Sequence, residues 1–321
     1  MNRAAIVAVP LVAALTMVAC VPALKNARDR LTADERGRIT FVTPETLVRG
    51  DGRLVAATPI ALTGDLTLPA GAGPFPGVVL MHGCGGLGNA EGGWVDPLVR
   101  AGYATFVVDS LTGRGLTEVC GDSRALLSLQ RMPDAYGALR VLATHPRLDA
   151  KRVALMGFSH GGGATLGSAT RWARDRYAPA AGAAFRAFLP FYPANCGTLY
   201  PERLSIAAAL RIHVGALDDW TPAAACRELV EALRASGQDA EITVYEGAHH
   251  SFDNVGRRVT WLPNVDSAAG CRIEAVSILG PVQDASAVRG CLHKGATLGW
   301  SPAATERTRR NVLEQLSVLL R

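Results

Sequence analysis

A serine near the middle of the chain has the surroundings of a catalytic nucleophile. It is Ser159, in the sequence GFSHG at 157–161. The apolar run Arg152–Met156 predicts a buried strand before it, and the Ala- and Gly-rich stretch after it is typical of a closely packed helix. A strained turn between strand and helix exposes a serine hydroxyl, and flanking glycines keep that turn free of clashes. We therefore predict that Ser159 attacks a carbonyl carbon; the alternative is a serine that only caps the helix.

An acid and a base that could activate this serine follow it in the chain. The run Arg211–Val214 predicts a strand, and two acids, Asp218 and Asp219, come shortly after it. A carboxylate at a strand's carboxyl end can orient a histidine and stabilise its charged form. We favour Asp218 because of its spacing from the neighbouring glycine and proline, whereas either acid could instead cap the next helix. His249 and His250 follow the next predicted strand, and both are candidates for the base.

A glycine-rich loop could supply the third part of such a site. It reads HGCGG at 82–86 and follows the predicted strand Val78–Met81. Acyl transfer develops an oxyanion, which needs two preorganised N–H donors. We expect these donors to be the backbone amides of His160 and Cys84, with Gly83 as the alternative to Cys84. The alternative for the whole loop is a plain tight turn.

Taken together, these motifs resemble the dienelactone hydrolase family of α/β hydrolases over roughly residues 75–320. In that family a Gly-Ala-x-His-x-Phe segment carries the catalytic histidine, and the match implies His250 rather than His249. A Gly-x-x-Asp-x-x-x-Pro segment carries the acid and implies Asp218. The resemblance also implies the α/β-hydrolase fold and hydrolysis of esters.

Two further points follow from the resemblance. The family's founding enzymes use an arginine for substrate carboxylates, which implies a substrate-binding role for Arg114; a surface ion pair is the alternative. Those enzymes use a cysteine nucleophile where this chain has Ser159. The resemblance therefore indicates the fold and the triad but not the substrate.

The order of predicted elements indicates a single α/β domain over residues 37–321. Between residues 38 and 69, the β-type runs Ile39–Val42, Arg53–Ala57 and Ile60–Leu68 predict an antiparallel start to a sheet. From residue 77 onwards, apolar strand-type runs alternate with helical patterns. This alternation predicts a mostly parallel central sheet with helices on both faces, whose ligands gather at the carboxyl ends of the strands.

Residues 254–300 do not follow this alternation of strand and helix patterns. The segment shows no clean periodicity, and we expect a disulfide-held excursion that packs beside the site.

Seven cysteines are present, and without Cys20 six remain, which allows 15 pairings. We favour pairing between neighbours, 84 with 120, 196 with 226 and 271 with 291. Such disulfides are typical of an exported protein.

The N-terminus also predicts export. Residues 1–19 combine a positive charge, an apolar stretch and small residues, as a signal peptide does. The sequence MVAC at 17–20 resembles a lipobox, which makes Cys20 the first mature residue and a lipidation site, followed by a linker at 20–36. Cleavage after Ala23 and a retained anchor are the alternatives. We expect a periplasmic, outer-membrane or cell-surface lipoprotein, or alternatively a secreted protein.

Composition narrows the classes of partner. The 321 residues carry a net charge of +5 from 33 basic and 28 acidic residues, without a dense basic block. Nucleic acid is therefore not an expected partner, and a membrane is one only through the N-terminal lipid. The sequence contains no C-x-x-C pair and no His/Cys cluster, so it does not predict a metal site. The expected chemistry needs no cofactor.

The function predicted from these features is hydrolysis of a small-molecule ester through an acyl-enzyme intermediate. Trp220 and Tyr192 are candidates to line the substrate pocket, with core packing as the alternative for each. Hydrolysis of amides or peptides on the same triad is a second hypothesis. A third is a non-catalytic binding lipoprotein, whose usual sign is loss of the serine, the histidine or a loop glycine; all are present in this chain.

Overall fold

The structure is a computed structural model that describes residues 26–179 and 182–321. The predicted signal peptide and Cys20 lie outside the described residues. The β-strands are β1 (Gly37–Val42), β2 (Thr46–Gly50), β3 (Arg53–Ala57), β4 (Ala61–Thr67), β5 (Phe75–Met81), β6 (Ala104–Asp109), β7 (Leu148–Phe158), β8 (Phe185–Phe191), β9 (Thr198–Leu199), β10 (Ala209–Gly215), β11 (Ala240–Tyr245), β12 (Thr260–Ser267), β13 (Ile273–Glu274) and β14 (His293–Leu298).

Helices lie between several of these strands. The α-helices are α1 (Asn89–Arg100), α2 (Met132–Leu142), α3 (His160–Ser168), α4 (Arg171–Tyr177), α5 (Ala223–Ala235), α6 (Ala285–Cys291) and α7 (Pro302–Leu319). Short 3-10 helices occupy Thr112–Arg114, Ser128–Arg131 and Pro201–Leu204.

The core of the molecule is an eight-stranded sheet in the order β1-β4-β6-β5-β7-β8-β10-β11. From β6 to β11 every neighbouring pair is parallel, and β4 runs antiparallel to both β1 and β6. The strands at the centre are apolar throughout because helices cover them on both faces. The predicted α/β-hydrolase architecture is confirmed.

Alternation along β5 shows how the two faces are covered. Val78 and Leu80 pack into a cluster with α1 and α7, whereas Val79 and Met81 pack into a second cluster with α2, α3, α4 and α5. Successive side chains of a strand point to opposite faces, so one apolar run serves both layers. Because the buried strands are parallel, their carboxyl ends lie along one edge of the sheet, where the loops that carry the candidate site residues begin.

The start of the domain corrects one sequence prediction. β1 and β4 pair antiparallel, as expected from Ile39–Val42 and Ile60–Leu68. Arg53–Ala57 does not join the central sheet, however; it forms a separate hairpin with Thr46–Gly50, a strand that was not predicted. The turn at residues 51–52, which carries positive φ at both positions, closes this hairpin.

The helix predicted after Ser159 is also divided. α3 ends at Ser168, and the side chain of Thr170 accepts a hydrogen bond from the backbone of Ala173 to cap α4. A threonine at such a position favours a new helix start because its hydroxyl satisfies a free backbone N–H. Both helices contribute side chains to the same apolar cluster.

The segment at 254–300 contains short elements that the sequence did not reveal. β12 and β14 form an antiparallel ribbon, β13 pairs with β9, and α6 lies between β13 and β14. The two ends of the segment meet: the amide of Gly299 donates to the carbonyl of His250 at 3.0 Å, and that of Ser301 donates to the carbonyl of Phe252 at 2.8 Å. The segment thus leaves and rejoins the domain at one place.

Three disulfides join the pairs predicted from neighbouring cysteines. They are Cys84–Cys120, Cys196–Cys226 and Cys271–Cys291. Three disulfides are consistent with an exported protein. None of the helices in residues 26–179 and 182–321 combines the length and the apolar character needed to cross a bilayer.

Candidate active site

Ser159 occupies a strained turn between β7 and α3. Its backbone has φ 53° and ψ −109°, a conformation that L-residues rarely adopt. Glycines make the turn feasible: a Cβ at Gly157 would lie 2.3 Å from the carbonyl oxygen of Gly161, and a Cβ at Gly161 would lie 2.2 Å from that of Met81. The turn is fixed from outside, since the amide of Ser159 donates to the carbonyl of Phe191 at 2.9 Å.

The structure brings the predicted base and acid to this serine. His250 Nε2 lies 2.8 Å from Ser159 Oγ, and His250 Nδ1 lies 2.9 Å from Asp218 Oδ2. Asp218 Oδ1 accepts from the backbone amides of Trp220 and Thr221 at 2.9 and 2.8 Å. His250 and Asp218 are buried, whereas Ser159 is partly exposed. A hydroxyl, an imidazole and a carboxylate thus form one hydrogen-bonded chain, an arrangement that can activate the hydroxyl for nucleophilic attack.

The two neighbouring alternatives have other contacts. Asp219 is exposed, and its carboxylate accepts hydrogen bonds from the amide of Thr297 at 2.7 Å and from its hydroxyl at 2.8 Å. His249 makes no hydrogen bond to Ser159 or to Asp218. The two aspartates after β10 therefore have different partners. Asp218 contacts His250, and Asp219 contacts the 254–300 segment through Thr297.

Two aromatic rings enclose the imidazole of His250. The ring of Tyr192 lies 4.7 Å from it and the ring of Trp220 lies 4.8 Å from it, between centroids. Trp220 is partly exposed, and its Nε1 donates to the carbonyl of Asp266 at 2.9 Å. Tyr192 is 1% exposed and its hydroxyl donates to Asp253 at 2.6 Å. This burial favours the core-packing alternative for Tyr192, whose ring packs against the imidazole of His250.

The glycine-rich loop lies against the nucleophile. A Cβ placed on Gly83 would be 3.8 Å from the Cβ of Ser159. The amide of His160 is the first of α3 and has no carbonyl to bond within the helix. Among the described residues, neither this amide nor that of Cys84 donates to a protein acceptor. Both predicted oxyanion donors are therefore unused by the fold, and the disulfide to Cys120 holds the loop that carries one of them.

Arg114 has contacts that differ from those implied by the resemblance. Its guanidinium makes two hydrogen bonds to the carboxylate of Asp134, at 2.8 and 2.9 Å, and one to the carbonyl of Ser110 at 2.6 Å. The side chain is 13% exposed and that of Asp134 is fully buried. A charge neutralised in this way is poorly placed to bind a substrate carboxylate, so the geometry favours the ion-pair alternative, here largely buried.

Residues not singled out in the sequence complete the site. Thr221 Oγ1 lies 2.9 Å from the carbonyl of Tyr192, 3.0 Å from Asp218 Oδ2 and 3.1 Å from His250 Nδ1. Its place three residues after the acid was the only available signal. Asp253, which accepts from Tyr192 and from Trp94 Nε1, had no sequence signal, because its partners are distant in the chain.

Burial sets the charge state of one buried carboxylate near the loop. Burial raises the pKa of Glu91 to about 7, against the lowering effect of its hydrogen bond from the amide of Gly88. This acid lies in the first turn of α1, which follows the glycine-rich loop.

Residues 26–179 and 182–321 contain no cluster of three or more His, Cys, Asp or Glu side chains that could hold a metal ion.

Comparison with known families matches residues 62–277 of this chain to the Dienelactone hydrolase family. The match covers two thirds of the chain and spans Ser159, Asp218 and His250. No curated protein matches the chain by sequence.

Solved structures share the fold at low sequence identity. A Klebsiella pneumoniae protein that bears the same family name is 16% identical, with a TM-score of 0.56 over 88% of this chain and 99% of its own. P91, a dienelactone hydrolase-like promiscuous phosphotriesterase from metagenomic libraries, is 18% identical, with a TM-score of 0.58 over 89% of this chain and 100% of its own. These likenesses extend over the whole of both neighbours and concern the fold alone.

Proposed function

Because this chain belongs to the dienelactone hydrolase family, and is thus a carboxylic ester hydrolase, we propose that it acts through a Ser159–His250–Asp218 triad and an acyl-enzyme. The observation that carries the proposal is the unbroken hydrogen-bonded chain from Ser159 Oγ through both nitrogens of His250 to the carboxylate of Asp218. Asp218 holds the imidazole with its proton on Nδ1, which leaves Nε2 free to accept the serine proton.

Acylation begins when Ser159 Oγ attacks the ester carbonyl carbon. His250 Nε2 takes the hydroxyl proton, and the electron pair of the carbonyl bond moves to its oxygen. The amides of His160 and Cys84, which make no hydrogen bond to another acceptor among the described residues, donate to this oxyanion. The bond to the alcohol oxygen then breaks, and His250 gives its proton to the departing alcohol.

Deacylation repeats these steps with water. His250 Nε2 takes a proton from water while the hydroxide oxygen attacks the acyl carbon, and the same two amides hold the second oxyanion. The bond to Ser159 Oγ breaks, the proton returns to that oxygen, and the carboxylic acid leaves. Trp220, which is partly exposed beside the histidine, is the side chain we assign to the wall of the substrate pocket.

The test compares wild type with Ser159→Ala, both as the full chain produced in an oxidising compartment. We expect wild type to hydrolyse p-nitrophenyl acetate and to react covalently with a fluorophosphonate, and Ser159→Ala to do neither, with kcat lower by roughly 10⁴-fold or more. Ser317→Ala, which alters an exposed serine of α7, is the matched control and should behave as wild type. Normal labelling of Ser159→Ala would show that the nucleophile is a different residue.

We also propose that the protein is exported and lipidated at Cys20. The support is the sequence MVAC at 17–20 and six further cysteines that pair completely. Mass spectrometry of the mature N-terminus tests this: a diacylglyceryl group on Cys20 is expected, and Cys20→Ser should lack it. A mature chain that begins after residue 23 would favour the secreted form instead.

A further inference from the structure

Arg131 is a fully buried arginine without a hydrogen bond to any carboxylate. It ends the 3-10 helix Ser128–Arg131 and is 0% exposed. Its Nη1 donates to the carbonyl of His82 at 2.8 Å and to Nδ1 of His160 at 3.0 Å. Its Nε and Nη2 have no partner among the described residues. Burial of a guanidinium is costly, so its placement calls for a functional explanation.

The two partners of Arg131 belong to the two segments that carry the proposed oxyanion donors. The carbonyl of His82 lies directly after β5, two residues before Cys84. The imidazole of His160 belongs to the residue whose own amide is the other donor. One guanidinium nitrogen therefore links both segments directly, and no other side chain in the described part of the chain does so.

Hydrogen bonds fix the state of both histidine rings, and Arg131 takes part in those of His160. His160 Nδ1 accepts from Arg131, so its Nε2 donates to the carbonyl of Leu126 at 2.9 Å. His82 Nε2 accepts from the amide of Ser110 at 3.1 Å, so its Nδ1 donates to the carbonyl of Gly83 at 2.7 Å. Each ring is thus held as a single neutral tautomer.

Electrostatics agree with this arrangement. Burial, and next the charge of Arg131, lower the pKa of His160 to about 3, and the same two causes lower that of His82. Burial lowers the pKa of Arg131 to about 10, which leaves it charged at neutral pH. The nearest carboxylates favour that charge but hydrogen-bond elsewhere: Asp134 to Arg114, Glu91 to Gly88, and Asp109 to Leu111 and Thr112. Arg131 is therefore the one charged group of this network.

We propose that Arg131 is a positioning residue for the oxyanion hole: it sets the spacing of the Cys84 and His160 amides, and its charge stabilises the oxyanion that they bind. The inference rests on the proposed function, because it takes those two amides as the donors. A preorganised donor pair in a buried site acts most strongly on the transition state, where the charge develops. Arg131 should thus affect the chemical step more than the binding of substrate.

The test uses Arg131→Met, which removes the charge and both hydrogen bonds, and Arg131→Lys, which keeps the charge and an N–H donor. For p-nitrophenyl acetate we expect Arg131→Met to lower kcat by roughly 10²-fold, the size of losing one oxyanion donor, with KM changed less than about threefold. The affinity for a phenylboronic acid, which forms a tetrahedral adduct on the serine, should fall in parallel. Arg131→Lys should recover most of both losses.

A matched control separates this role from simple stability. Arg211 is also buried, but it lies near the start of β10, away from the carboxyl ends of the strands, and pairs with Asp239. Arg211→Met should lower the melting temperature while leaving kcat and boronate affinity of the folded protein near wild type. If Arg131→Met behaves like this control, the proposal is overturned although the triad stands.

Two further outcomes are distinguishable. If Arg131→Met does not fold, Arg131→Gln takes its place as a neutral variant that retains an N–H donor, and wild-type kcat and boronate affinity in it would overturn the role of the charge. Full activity of Ser159→Ala would remove the proposed function itself, whatever the arginine variants do.

Discussion

Residues 75–252 and the segment at 254–300 are built on different principles. In the first region buried strands alternate with helices, and Ser159, Asp218 and His250 each follow a strand of the same parallel sheet. In the second region the strands lie outside the central sheet and are partly exposed, and a disulfide between Cys271 and Cys291 joins its distant parts. One region carries the proposed chemistry, and the other lies against it.

The two regions differ in what fixes the position of their residues. A parallel sheet places every strand end along one edge, so the site residues converge as soon as the strands form. The 254–300 segment lacks such a framework, and its position depends on individual contacts with the first region. They include Asp219 with Thr297, Trp220 with Asp266, His250 with Gly299, and the pairing of β13 with β9. We expect substitutions in the two regions to have effects of different kind and size.

The largest expected effect separates the two aspartates that follow β10. Asp218→Asn should lower kcat by roughly 10⁴-fold, because an amide at this place no longer holds His250 in the tautomer that accepts the serine proton. Asp219→Asn is the matched control and should stay within about threefold of wild type, since its partner is Thr297. Steady-state kinetics with p-nitrophenyl acetate measure both. Equal losses in the two variants would mean that the acid is wrongly assigned.

The next effect compares two disulfides. Cys271→Ser with Cys291→Ser should destabilise the closed 254–300 segment by about 3 kcal/mol, as loss of a cross-link over a comparable loop does. Amide hydrogen exchange should quicken within the segment while the central strands stay protected. Cys196→Ser with Cys226→Ser, which opens a buried disulfide of the first region, should instead lower the urea midpoint of the whole domain. A global loss from both pairs would contradict the distinction.

A smaller effect concerns pH. Burial raises the pKa of Glu91 from its ordinary value of 4.5 to about 7 in the folded state. Between these two values the folded state binds more protons than the unfolded state. Stability from this group is present at low pH and is lost as pH rises. Relative to Glu91→Gln, wild type should lose about 2 kcal/mol of unfolding free energy between pH 5 and pH 7. Urea titrations at both pH values test this, and a difference that does not change with pH would show that Glu91 does not titrate there.

The smallest effect falls on the contact between the regions. Asp219→Ala removes both hydrogen bonds to Thr297, and because Asp219 is exposed we expect it to cost at most about 1 kcal/mol. The consequence should be faster hydrogen exchange in β14 and a change in kcat/KM of a few fold for bulky esters, with acetate esters unaffected. Unchanged exchange would show that the other contacts suffice to hold the segment.

Much of the fold and of the candidate site could be predicted because the signals are local. Apolar runs of strand length indicate buried strands, and residues just after such strands share one edge of the sheet. Ser159, Asp218 and His250 were all predicted in this way, two of them with help from the family resemblance, and the structure places them in one hydrogen-bonded chain. The neighbour pairing of the cysteines also proved right.

The remainder depends on contacts between distant parts of the chain. Nothing near Arg131 in sequence indicates His82 or His160, and nothing near Tyr192 indicates that Asp253 takes its hydroxyl. The hairpin strand Thr46–Gly50 was missed because its partner, Arg53–Ala57, was assigned to the central sheet. In each case tertiary packing determines the partner of a residue or strand, and the local sequence pattern does not distinguish between the possible partners.

The meeting ends of the 254–300 segment have a consequence for how such a protein can change. Because the chain departs after His250 and returns beside it through Gly299 and Ser301, the segment is a cassette that could be shortened, lengthened or exchanged without rethreading the sheet. Insertions of this kind are tolerated where the two junctions lie together. A single scaffold could thereby acquire new substrate ranges by replacing one stretch of chain while its catalytic machinery is inherited intact.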